Sequence, residues 1–436
     1  ILASDFTTLA QLLARIAAGH YSTRDYTPDR LSAALRLYVV AFPVYRSYVT
    51  TVEASPADRE TIGQAIAAAR RRWPGPDLDI FDFLYAAMTL DLLTDGRAYS
   101  RRRVQDFALR LQQFTGPLMA KSLEDTAFYR YHRLLALNEV GNDPSCGGID
   151  IDSFHAAMRT RAATAPAGLT ATATHDTKRG EDARMRILAL AELADDWAGA
   201  VEQWRDMNEG LRSTPDAPSA AHESMLYQTL IGAWPLEGTS QELTRRVCTY
   251  AIKAAREGKQ QTSWINVNDG YERALEALVA AMLDPARSGP FLQSFGRFAP
   301  RAALLGALNS LSQLGLKAML PGVPDFYQGT ELWDLSLVDP DNRRAVDFEV
   351  RRRLMEHALE IPWLTLAEAW PNGTIKFALT SRLLAIRAAL RELFLEGDYE
   401  PLPVQGEDRA HVIAFARRHR GEAVIVIAGR HFSRSS

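Results

Sequence analysis

LTATATHDTKRGED, Leu169–Asp182, changes character twice within a short stretch, and its reading decides the fold. Leu169–Thr174 alternates apolar and β-branched residues with period two, the pattern of a strand. His175-Asp176 follow at once, and Thr177-Lys178-Arg179-Gly180 form a polar turn. Glu181-Asp182 then lead into a run in which Met185, Leu188 and Leu193 recur at helical spacing. Strand, polar turn, helix is the βα unit of a parallel sheet or barrel. In a (β/α)8 barrel the reactive groups stand at the C-terminal ends of strands, which is where His175 and Asp176 fall. A carboxylate there can accept hydrogen bonds from sugar hydroxyls, and an imidazole beside it can donate one. Alone, a His-Asp pair after a strand is commonly a cap or a turn, and Lys178 and Arg179 read alone as a solvated face.

Working outward, the helical stretch Arg301–Leu314 feeds a second such unit, Leu316–Gly329, whose Pro321-Gly-Val-Pro324 suits a rigid strand exit. Trp333-Asp334 and Asp339–Arg344 follow as a charged loop. Beyond Tyr399, the alternating stretches His411–Ala416 and Ala423–Ala428 predict a small antiparallel β domain. Upstream, the first 165 residues or so read as mainly helical. Leu9, Leu12, Leu13 and Ile16 mark one helix ended by Gly19; Val104, Phe107, Leu111 and Phe114 mark another, stopped by Gly116-Pro117. A third is predicted over Ser122–Val140 with Ser122 as its N-cap, and the Val-, Tyr- and Phe-rich Leu37–Val49 is predicted as a buried strand. Phe128-Tyr129-Arg130-Tyr131 offers aromatic faces suited either to a core or to stacking against sugar rings.

Of the 436 residues 47% are hydrophobic and 24% charged, and 50 Lys+Arg against 53 Asp+Glu give a net charge of −3. This excludes wholesale disorder and small disulfide scaffolds, and it argues against a nucleic-acid partner. Cys146 and Cys248 are too few for a metal cluster or a disulfide framework, so a reducing compartment, the cytoplasm, is expected. The longest apolar run, Ala302–Leu320, is broken by Asn309, Ser310, Ser312, Gln313 and Lys317, so no membrane span is expected. No Gly-rich phosphate cradle, nucleophile elbow or zinc-ligand spacing is present. Ile1-Leu2-Ala3-Ser4 lacks an initiator methionine and Arg430–Ser436 breaks off after an apolar strand, which reads as a fragment.

Grouped, these motifs resemble glycoside hydrolase family 13, the α-amylase superfamily, whose seventh barrel strand ends in a His-Asp pair. The longer THDTKR followed by an acidic pair is similar to the maltooligosyl trehalose synthase branch of that family. FPVYRSY (Phe42–Tyr48), FTGPLMAKSLEDTAFYRYHRLLALNEVGNDP (Phe114–Pro144) and PGVPDFYQGTELWDLSLVDPDNRR (Pro321–Arg344) add to the likeness in the expected order. The resemblance implies an α/β fold: the later part of a (β/α)8 TIM barrel with a large inserted helical subdomain and a partial C-terminal β domain. Its divisions would be 1–167 (inserted helical subdomain, with one barrel strand near 37–49), 168–373 (late barrel strands and helices) and 374–436 (linking helix and β domain).

The implied reaction is an intramolecular transglucosylation that turns the reducing-end α-1,4 bond of a maltooligosaccharide into an α,α-1,1 bond. Configuration is retained, so a nucleophile and an acid/base carboxyl act together. A third carboxylate holds the reacting glucose; by motif Asp176 matches it and His175 is its hydrogen-bonding neighbour. For Lys178, Lys121, Arg130, Tyr131 and Arg46 the resemblance implies only a place along the sugar path. No metal or cofactor is implied, since carboxylate chemistry suffices. The implied partners are the maltooligosaccharide itself and a downstream trehalohydrolase of the same pathway. The nucleophile Asp and acid/base Glu match nothing in this sequence, so the chain by itself is expected to be inactive. Three alternatives stand beside this reading: another glucanotransferase of the superfamily, a trehalohydrolase, and a non-catalytic α-glucan-binding fragment.

Overall fold

Thr27-Pro28 and Ser55-Pro56 begin two of the helices that build the N-terminal part of the chain, and both starts are encoded locally. The Thr27 hydroxyl accepts the Arg30 N–H, and Ser55 with Asp58 forms a reciprocal capping box, each with proline at the first helical position. The structure is a computed structural model that describes residues 2–94, 99–215 and 217–434. It divides into two units, Ile1–Ala127 and Phe128–Ser436.

The first unit is helical: Ala3–Ala17, Pro28–Ala41, Pro56–Arg71, Asp79–Met88 and Arg101–Met119 enclose Leu13, Leu31, Leu35, Tyr38, Ile62, Phe81, Leu84 and Phe107. The stripes Leu9–Ile16 and Val104–Phe114 are buried as their spacing requires. The strand expected over 37–49 is absent. Residues through Ala41 finish the helix Pro28–Ala41, and the extended segment after it pairs with a side chain instead of a neighbouring strand. Gln112 does the pairing: its amide donates to Val49 O at 2.9 Å and accepts the Val49 N–H at 2.9 Å. Nor does Pro117 stop its helix. The chain continues to Met119 and widens into a π turn, Ala120–Glu124, closed by Asp125 N–H to Ala120 O at 2.9 Å.

The helix expected over Ser122–Val140 is replaced by that π turn and by short 3-10 turns at Ala127–Tyr129 and Leu135–Leu137. Its backbone finds partners elsewhere. Asn138 Nδ2 donates to Phe128 O at 2.8 Å and Tyr131 O at 2.6 Å, and Gln228 Oε1 accepts the Leu135 N–H at 2.8 Å.

In the second unit, two short parallel strands, β1 (Leu169–Ala171) and β2 (Val323–Asp325), pair Leu169 with Val323, Thr170 with Pro324 and Ala171 with Asp325. Parallel strands need a long crossover. Here it holds helices Glu181–Leu188, Ala194–Asn208, Ala220–Ala233, Gln241–Gly258, Asp269–Met282 and the long Pro285–Met319, so part of the predicted second strand is helix. They pack around Trp204, which is fully buried among Tyr227, Phe291 and Phe295. Arg161 staples the strand starts, donating to Pro321 O and Gly168 O at 2.8 Å each. Gly322 has φ +117°, and a Cβ there would sit 2.6 Å from Gly168 O, so a side chain is excluded where the two backbones meet.

The C-terminal sheet is as the alternation predicts: β3 (Asp398–Pro401), β4 (Val412–His419) and β5 (Glu422–Gly429) lie antiparallel in that order. Arg420 and Gly421, both at positive φ, make the two-residue hairpin turn that matches strand twist. No helix among the described residues is long and apolar enough to cross a membrane.

Candidate functional site

His175 and Asp176 lie in the turn just beyond β1, exposed, on the side where β2 also runs out toward Phe326 and Tyr327. Asp176 is neither on a helix nor buried. Its N–H donates to Thr174 Oγ1 at 3.1 Å, while the Thr177 hydroxyl donates to Thr174 O at 2.9 Å. These are the local side-chain bonds by which threonine favours turns. The turn is also held from the loop after β2: Asn342 Nδ2 donates to His175 O at 2.9 Å, with Thr174 O at 3.5 Å and Thr177 O at 3.4 Å beside it.

Behind the turn the chain is buried. Lys178 and Arg179 are not a solvated face: they are 6% and 4% exposed. The Lys178 N–H donates to Glu139 Oε1 at 2.8 Å, and Arg179 donates to Tyr250 OH at 2.6 Å. Glu139 also pairs with Arg184 at 2.9 Å, so the NEVGNDP segment is tied to the start of the helix that follows.

The acidic pair closes the motif and makes a charge cluster. Lys376 Nζ, 1% exposed, lies 2.7 Å from both Glu181 Oε1 and Asp182 Oδ2. Lys317 Nζ lies 3.5 Å from Glu181 Oε2 and donates to Thr172 Oγ1 at 2.8 Å, while Thr172 donates to Glu181. Asp182 Oδ2 also accepts the Asp334 N–H at 2.6 Å. Burial alone would raise the Glu181 carboxyl, but Lys376 and Lys317 outweigh it and hold the group down at about 2. Burial wins at Asp182, whose carboxyl is raised. Lys376 lies above the ordinary ammonium range because two carboxylates outweigh its desolvation. The cluster joins the β1 exit, three helices and the loop after β2 into one rigid base under the exposed turn. Gly180 belongs to it: a Cβ there would meet Asp334 O at 2.5 Å, so only glycine lets the two chains cross.

The other candidate residues are placed variously. Arg130 is exposed, and its Nε donates to Gly258 O at 2.6 Å, capping the C-terminus of helix Gln241–Gly258, where a cation is favoured. Tyr131 is half-buried. Arg46 and Lys121 belong to the first unit. The Arg46 guanidinium lies 5.0 Å from the Tyr48 ring centre, and Lys121 pairs with Asp125 at 2.6 Å. In the second unit His175 and Asp176 share an exposed turn, while Lys178 two residues on is buried behind it.

Glu181, Asp182 and Asn342 fall within the quoted motifs but carry no role that spacing reveals, and nothing along the chain marks Lys376. One signal was visible: Lys317 is the single charged residue in Ala302–Leu320, and a cation buried there needs an acid beside it. Among the described residues no three His, Cys, Asp or Glu side chains are grouped so as to hold a metal ion. A cavity of about 1010 Å³ lies elsewhere, lined in part by His155, Glu192, Arg409 and His411.

No family model matches the chain. Two proteins of Mycobacterium tuberculosis strains, provisionally described as maltooligosyl trehalose synthases, are each 38% identical to it over 324 residues, 74% of this chain and 39% of theirs. The structure of maltooligosyltrehalose synthase from Arthrobacter ramosus aligns with a TM-score of 0.77 at 35% identity, covering 99% of this chain and 50% of that one. A crystal structure of a maltooligosyl trehalose synthase aligns with a TM-score of 0.72 at 30% identity, covering 98% and 52%. The chain therefore spans about half the length of these solved relatives and less of the curated ones.

Proposed function

Because this chain is homologous to the maltooligosyl trehalose synthases over the stretch they share, we propose that it supplies part of the site for the trehalosyl transglucosylation of maltooligosaccharides. In this reading β1 and β2 are late strands of a (β/α)8 barrel, and the chain corresponds to the C-terminal portion of the whole synthase. Asp176 holds the hydroxyls of the reacting glucose and favours the flattened, oxocarbenium-like ring, with His175 donating beside it. The carrying observation is the exposed Asp176 turn at the outgoing end of β1, fastened to the loop leaving the parallel strand β2. Ligands of parallel α/β folds bind at that end of the strands.

Retention of configuration requires a nucleophile and an acid/base, which this reading assigns to parts of the whole enzyme not represented in this sequence. Lys178, Lys121, Arg130, Tyr131 and Arg46 remain candidates for lining the sugar path. The burial of Lys178 and the helix-capping contact of Arg130 also give those two a structural role.

Two measurements test the reading. The chain incubated with maltopentaose should form no non-reducing product; clear turnover refutes the assignment of nucleophile and acid/base elsewhere. Affinity electrophoresis in amylose should show retardation that Asp176→Ala reduces. Retardation indifferent to that substitution favours an α-glucan-binding fragment that acts through aromatic faces alone.

A further inference from the structure

Asp176 is exposed, and inside the motif Thr174 and Thr177 bond only the backbone of the turn, so its carboxylate is not buried into one orientation. Among the described residues two distant side chains hydrogen-bond this segment: Glu139 accepts the Lys178 N–H at 2.8 Å, and Asn342 reaches the carbonyl next to Asp176 itself. Asn342 is 8% exposed, and its amide nitrogen stands 2.9 Å from His175 O, the carbonyl of the peptide that joins His175 to Asp176. The same nitrogen has Thr174 O at 3.5 Å and Thr177 O at 3.4 Å on either side, so it sits inside the bend the turn makes. Its Oδ1 is buried and has no hydrogen-bond partner among the described residues.

Asn342 is itself held rigidly. Tyr327, just past β2, donates its hydroxyl to Asn342 O at 3.1 Å, and the Thr330 hydroxyl donates to Tyr327 O at 2.7 Å. The preceding Asp341 is clamped by Arg246, with contacts at 2.9 and 2.8 Å, and accepts the Leu337 N–H at 2.7 Å. Asp341 and its arginine are each about nine-tenths buried. The loop leaving β2 therefore carries a preformed donor that dictates the path of the loop leaving β1.

We infer that Asn342 is the positioning residue for Asp176: from the loop after β2 its amide grips the peptide between His175 and Asp176 and sets where the carboxylate points. The inference rests on the carbohydrate reading of Asp176. It adds that orientation of this group, and hence sugar affinity, depends on Asn342 and Tyr327, neither of which need touch sugar. Pre-set geometry of this kind lowers the ordering cost of binding.

The test is a double-mutant cycle on the full chain, reading the Kd for maltopentaose by titration calorimetry and the melting temperature in parallel. Asp176→Ala and Asn342→Ala should each weaken binding about tenfold, and the double variant should bind no worse than Asp176→Ala, because a residue acting through another has nothing left to act on. Asn342→Asp, isosteric but without donors, should match Asn342→Ala. If the Asn342 variants fold poorly, Tyr327→Phe loosens only the carbonyl contact of Asn342 and should cost about threefold in affinity. That loss too should vanish in the Asp176→Ala background. Equal losses in both backgrounds, or full affinity in the Asn342 and Tyr327 variants while Asp176→Ala binds weakly, overturn the positioning role alone. No binding by the unaltered chain, or none lost in Asp176→Ala, overturns the carbohydrate reading and takes the positioning role with it.

Discussion

Replacing Lys376 by methionine keeps most of the unbranched side chain and removes the ammonium, and with it one charge, from the cluster beneath the Asp176 turn. The ammonium is 1% exposed and bonds two carboxylates at 2.7 Å each. After its loss Glu181 keeps Lys317 at 3.5 Å and Thr172, whereas among the described residues Asp182 keeps the Asp334 N–H at 2.6 Å as its hydrogen-bond donor and its Oδ1 has no hydrogen-bond partner. Arg186 and Lys317 act on Asp182 without a hydrogen bond. Breaking a buried pair from one side costs about 3–5 kcal/mol, because a desolvated charge is left uncompensated. That is a large fraction of the stability of a typical domain. The cost should depend on pH with a defined sign. Asp182, already raised by burial, rises further without its cation. A carboxyl raised on folding contributes stability that is full below its unfolded value of about 3.9 and lost as pH climbs through the folded value.

Lys376→Met should therefore be more damaging at pH 8 than at pH 5. Urea unfolding followed by circular dichroism and tryptophan fluorescence at the two pH values measures both effects. Adding Asp182→Asn should restore more than about 1 kcal/mol at pH 8 by removing the stranded charge. A loss under about 1 kcal/mol, or one equal at both pH values, would refute the view that Lys376 neutralises a buried acid.

Two further outcomes follow from the geometry. His222 is 1% exposed, and burial lowers its imidazole to about 4, so protonation opposes folding. Stability should be full above about pH 6.5 and fall toward pH 4 by up to about 3 kcal/mol; His222→Phe should flatten that slope in urea midpoints, and an unchanged slope would show that other groups cause it. Gly180→Ala places a methyl group 2.5 Å from Asp334 O and should cost about 1–3 kcal/mol in the same assay, with a neutral result meaning that the loop after β2 can retreat.

The parts of this protein that its sequence determined are those whose physics is local. The helix starts at Pro28 and Pro56 need only a hydroxyl or carboxylate within three residues, and the β4–β5 hairpin needs alternation and Arg420-Gly421. The β1 exit was legible for the same reason, since Thr174 and Thr177 bond their own turn. Tertiary structure decided the rest, where a partner distant in sequence satisfies the backbone or the charge. Gln112 takes Val49 out of any sheet, and Asn138 and Gln228 occupy groups that a helix over Ser122–Val140 would have used. Lys178 and Arg179 look like surface until Glu139 and Tyr250 are packed beside them. The base of the candidate site needs Lys317 and Lys376 to meet Glu181 and Asp182 across most of the second unit. Burial of a charge is stable only in company, and no spacing along the chain reveals which company folding will supply.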